Sequence, residues 1–141
     1  MPRIILYPSD ELIRTLTNGL IGGHEQWGSV PMFFGFTLAG PDQIGVMPHP
    51  VPPSDDPSMQ DIATSIFSRA PRQTLWGFGY HTVAETVLMR TADARGNLWM
   101  AEWSEERPDE VIETFRPADC GVPEEVMERE LWVAAIALAA L

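Results

Sequence analysis

The sequence predicts a small α+β domain: an antiparallel or mixed sheet built from two hairpins, with two or three helices packed mainly on one face. Three observations carry that expectation. Residues 74–104 read TLWGFGYHTVAETVLMRTADARGNLWMAEWS, rich in aromatic and β-branched side chains and broken at 93–97 by Asp-Ala-Arg-Gly-Asn, whose last two residues tolerate positive φ. Residues 31–39 and 44–51 make a second pair of apolar runs around Gly40-Pro41-Asp42. Asp56-Pro57 has the form of an N-cap with proline at the first helical position, and Met59, Ile62, Ala63, Ile66 and Phe67 follow at the spacing of one helix face.

The other elements follow from local chemistry. Residues 3–7 are a short apolar run that suits an edge strand. Ser9 is an N-cap candidate with Asp10 and Glu11 in the first turn, where the helix dipole favours acids; the helix should run to Asn18, with Asn18-Gly19 as its stop. Gly22, Gly23 and Gly28 predict a loop. Pro48, Pro50, Pro52 and Pro53 lack the backbone donor, so ladder pairing should stop there and 48–57 should be an extended loop. Pro71 ends the helix that begins near Pro57. Residues 110–115 suit a further strand closed by Pro117. A last helix after Pro123 should turn Val126, Met127, Leu131, Ala134, Ala135 and Leu138 inward.

With 141 residues, 45% of them hydrophobic, the chain fits a single domain over 1–141 with a core large enough to need no staples. Its one cysteine, Cys120, excludes an intramolecular disulfide, and no Cys/His cluster suggests zinc, so a reducing cytoplasm is the expected setting. The start of the chain lacks the apolar core of a signal peptide. The most apolar run, at 131–141, is about half the roughly 20 residues of a membrane-spanning helix. A net charge of -11 argues against direct nucleic-acid binding and towards a basic partner. Every basic residue is arginine, alongside abundant Ala, Gly and Pro, as codons of a GC-rich genome would produce.

If the loop at 93–97 has an even number of residues, even positions of the first arm share a sheet face with odd positions of the second. Trp76, Phe78, Tyr80, Ala84 and Leu88 then join Trp99, Ala101 and Trp103 on a core face. The opposite face carries His81, Val83, Glu85, Val87 and Met89 with Leu98, Met100 and Glu102: an apolar surface holding two carboxylates, and the candidate working face. Glu85 and Glu102 would lie diagonally across the hairpin, close enough for their side chains to meet.

That surface supports a protein-interaction or assembly role without catalytic chemistry and without cofactor or metal. The candidate binding residues are Glu85, Met89, Met100 and Glu102, with Trp27 from the glycine-rich loop. The partner would be another protein, basic in character, or a second copy of the chain. An alternative is a small hydrolase-like enzyme in which one of Glu85 and Glu102 has a raised pKa and His81 assists. A weaker alternative, resting on charge alone, is an acidic mimic of DNA. No HExxH, GxSxG, P-loop or GxGxxG motif is present. His24 and His49 lack a motif, and the acidic neighbour of Cys120 argues against a nucleophilic thiolate.

Overall fold

The computed structural model describes residues 4–28, 30–51, 59–69 and 75–140. Among the described residues six strands, β1 (Met32–Gly40), β2 (Gln43–Pro50), β3 (Leu75–Val83), β4 (Val87–Asp93), β5 (Leu98–Trp103) and β6 (Val111–Arg116), form one sheet in the order β2-β1-β3-β4-β5-β6. Every neighbouring pair is antiparallel. The helices are α1 (Asp10–Leu20), α2 (His24–Trp27), α3 (Met59–Arg69) and α4 (Val126–Ile136), and a 3₁₀ turn, Ile21–Gly23, joins the first two.

The stretch at 74–104 is a three-stranded meander, not one long hairpin. The chain reverses a first time at Ala84-Glu85-Thr86, between the paired residues Val83 and Val87, and a second time between Asp93 and Asn97. Both connections hold three residues, and the parity of the faces inverts accordingly. His81, Met89 and Ala101 now share one face, while Tyr80, Arg90 and Met100 share the other. A further irregularity between Phe36 and Thr37 against β3 brings Trp76 beside Phe36, their rings stacked 5.4 Å apart.

Both sheet faces are apolar, and each has helical cover, which replaces the expected placement of the helices mainly on one side. Ile13 and Ile21 of the N-terminal helical segment bury against Phe34, Phe36, Trp76, Met89, Trp99 and Ala101. On the other face Ile62, Ala63 and Ile66 of α3 and Leu131, Ala134 and Ala135 of α4 meet Phe33, Phe78, Tyr80, Ala92 and Leu98. The side chains of Met59 and Phe67, the Asp56-Pro57 start and Pro71 lie outside the described residues.

Several local expectations hold. The Ser9 side chain accepts a hydrogen bond from the Leu12 N–H at 3.1 Å and caps α1. Thr17 then anchors that helix to the sheet through a buried 2.8 Å bond to Thr91. Others are corrected. Asn18-Gly19 does not stop α1, because Leu16, Leu20 and Ile21 continue the apolar stripe, and their burial outweighs the roughly 1 kcal/mol propensity cost of a helical glycine. The glycine-rich segment after it is helical rather than a loop. Residues 4–9 form no strand. Strand β2 runs through Pro48 and Pro50, which pair with Phe34 and Met32; as the outer strand it can turn the missing donors away from the ladder. In α4, Val126 and Met127 are exposed, and burial begins at Leu131.

Candidate functional site

The six-stranded order leaves two edges, and their sequences differ. The β2 edge contains two prolines. The β6 edge, Val-Ile-Glu-Thr-Phe-Arg, contains none, and its Val111, Ile112 and Phe115 are 39%, 50% and 49% exposed. In the ladder Trp99 pairs with Phe115, Ala101 with Glu113 and Trp103 with Val111, so these β6 residues lie on the face that α1 covers further in. Ile112 and Thr114, opposite Glu102 and Met100, lie on the α4 face. Val122, Val126 and Met127, in the segment after β6, are also exposed.

Charge borders this apolar strand. The connection from β5 carries Glu105, Glu106, Asp109 and Glu110, all exposed, against one arginine, Arg107, which reaches Glu110 only at 3.7 Å. Trp103 anchors the connection by donating from its indole Nε1 to the Pro108 carbonyl at 3.0 Å. On β6 itself, Glu113 is engaged from α1: Arg14 donates to its two oxygens at 2.8 and 2.9 Å, and Asn18 donates to one of them. The Arg14 bonds, with the one from Asn18, hold the Glu113 carboxyl below the usual carboxylate range, and Glu113 in turn raises the Arg14 guanidinium. A cleft of about 140 Å³ opens beside this pair, lined also by Trp99, Met100 and Phe115.

The loop between β4 and β5 positions this end of the sheet. Asp93 is fully buried and its carboxylate accepts from the backbone N–H groups of Arg95 and Asn97, from the Arg95 guanidinium and from the Asn97 amide. Asn97 in turn accepts from the Ala118 N–H at 2.9 Å, just beyond β6, and Trp132 of α4 donates to the Gly96 carbonyl at 2.8 Å. Arg95 stacks over the Tyr7 ring at 4.2 Å and reaches Asp10. Gly96, at φ +96°, occupies the left-handed region that the tight reversal needs.

The expected site residues are dispersed. Glu85 lies in the exposed β3–β4 turn, beside a cleft that Glu105, Val83 and Trp103 also line. Glu102 is half-buried on the α4 face of β5, whereas His81 is fully buried on the α1 face, where the Trp27 ring meets it edge-on at 5.1 Å. Met89 is fully buried, and Met100 packs partly against the core beneath α4. Trp27 is half-buried and tilts against Phe34 at 5.2 Å rather than standing free. His49 is a half-buried residue of β2, Cys120 is exposed, and the His24 side chain lies outside the described residues. Among the described residues no group of three or more His, Cys, Asp and Glu could hold a metal ion, and no helix is long and apolar enough to cross a membrane.

What the sequence reading missed is β6 as a surface. Its signal was present as three apolar residues in a strand between an acidic turn and Pro117, without the alternation of a half-buried strand. Comparison with protein-family models, with curated proteins and with solved structures finds no match to this chain.

Proposed function

We propose that this chain is an acidic, cytoplasmic protein-binding module that works without a cofactor, and that β6 with its flanking acids is the surface it presents. The observation that carries the reading is an edge strand with three large apolar side chains 39–50% exposed, bordered by carboxylates that outnumber the one arginine among them. Exposed apolar residues on an open edge are an association hazard unless a partner uses them. The original candidate face is less suited to contact, since Met89 is buried and Met100 is partly covered. The catalytic alternative would need Glu102 and His81 to act together, yet they occupy opposite faces of the sheet. A basic protein partner fits the net charge of -11 better than nucleic acid does.

Site-specific photo-crosslinking in native cells tests the reading. A benzophenone side chain at position 112 should give a discrete protein adduct, and one at position 46, exposed on the proline-bearing edge, should not. No adduct at 112, or the same adducts from both edges, would remove β6 as the binding surface.

A further inference from the structure

We infer that β6 binds an extended, lysine- or arginine-bearing segment of another protein as a seventh strand of the sheet. This deepens the protein-binding reading and rests on it. An edge strand turns the N–H and C=O groups of alternate residues away from its only neighbour, and among the described residues no backbone hydrogen bond outside the ladder engages Val111–Arg116. Six residues at about 3.3 Å each give an edge of roughly 20 Å, enough for a short extended segment. The opposite edge is a poor receptor, because Pro48 and Pro50 withhold donors.

The side chains define the rest of the recognition. An added strand would run beside Val111 and Phe115 on one face and Ile112 on the other, so its own apolar residues would find partners on either side. At the Val111 end, Glu105, Glu106, Asp109 and Glu110 project from the anchored connection, while Glu113 is already engaged by Arg14. Arg107 pairs with Glu110 at 3.7 Å, and the excess carboxylates of this connection favour cationic residues beside that end of the bound segment. A second copy of the chain is a poorer occupant: pairing two β6 edges would bring together two molecules of net charge -11, each without lysine.

Three capped octapeptides added to the full chain test this: alternating Lys-Val, alternating Glu-Val, and Lys-Val with alternate backbone nitrogens methylated. The Lys-Val peptide should slow amide exchange within β6 and bind about tenfold or more tighter than either of the others, with affinity falling as salt is raised. Replacing Glu105, Glu106, Asp109 and Glu110 together by Gln or Asn should weaken it by about tenfold while leaving the circular dichroism unchanged. Equal binding of the methylated peptide would overturn strand addition, and equal binding of Glu-Val would overturn the charge preference. Sedimentation showing a dimer that protects the β6 amides without peptide would make a second copy the occupant and refute the inference. If position 112 crosslinks to a protein in cells while every peptide leaves β6 unprotected, this inference fails and the broader binding reading stands; absence of any adduct removes both.

Discussion

Replacing Asp93 by alanine should cost about 2 to 4 kcal/mol of stability, more than any single substitution on the exposed surface. Asp93 is fully buried, and its two oxygens satisfy the Arg95 N–H at 2.9 Å, the Asn97 N–H at 3.1 Å, the Arg95 guanidinium at 2.7 Å and the Asn97 amide at 3.3 Å. Two backbone donors left without acceptors would each cost about 1 kcal/mol or somewhat more. Loss of the ion pair adds less than the roughly 3 to 5 kcal/mol typical of a broken buried pair, because the Arg95 side chain is 39% exposed and keeps Asp10 and the Tyr7 ring. Asp93→Asn should fall between, at about 1 to 3 kcal/mol, since its oxygen can serve both backbone donors while its amide nitrogen opposes the Arg95 guanidinium. Urea unfolding followed by tryptophan fluorescence reads both variants, and Trp132, bonded to Gly96, reports on the loop. A shift in midpoint at constant slope is expected. A loss under about half a kcal/mol for Asp93→Ala would refute the idea that this carboxylate organises the reversal.

Ile66→Ala should cost about 2 to 5 kcal/mol in thermal melts, because Ile66 is fully buried between α3 and the sheet. Gly79→Ala should cost about 1 to 3 kcal/mol by overpacking, since the added carbon would stand 2.7 Å from the Phe36 ring and the Met89 Cε; a Phe36→Leu second change should return part of it. The depressed Glu113 carboxyl contributes stability that is present above its unfolded pKa and lost as pH falls through its folded one, so Glu113→Gln should destabilise at neutral pH and not at acid pH, by an amount that shrinks with salt. Burial, followed by repulsion from Glu125, raises the Glu128 carboxyl, so its contribution has the opposite sign: present below the unfolded pKa and lost as pH rises through the folded one. Glu128→Gln should accordingly raise the melting temperature at neutral pH, and a lowered one would contradict the assignment.

The elements were more legible than their arrangement. Periodicity and caps give α1 from Ser9, the stripe of α3, the β1–β2 hairpin and a strand near 110–115, because each depends on contacts within a few residues. The reversal at Ala84-Glu85-Thr86 has no glycine, proline or asparagine to mark it, so β3 and β4 read as one arm. Its position depends on what the strands bury. His81 and Met89 pair across it, both fully buried, while Val87 and Val83 close its base. The two-sided helical cover was likewise hidden, since it follows from sheet faces whose membership changes with loop length.

Loop parity and the unmarked reversal at 84–86 together disperse the candidate site. An even loop places Glu85, Met89, Met100 and Glu102 on one apolar face with charge at its edges. With three residues in each reversal, Met89 turns into the core below α1, Met100 turns beneath α4, and Glu85 leaves the ladder altogether. The mixture of exposed apolar and acidic side chains reappears one strand further out, on β6. That strand is last in the sheet, so neither of its faces has a full layer above it. Sequence pattern alone marks 110–115 as a strand but cannot rank it as an edge, because sheet order is a property of all the pairings together. The proline content of β2 is the complementary clue: with one edge of the sheet blunted by prolines and the other free of them, the association proposed for this chain would be directed to the β6 side.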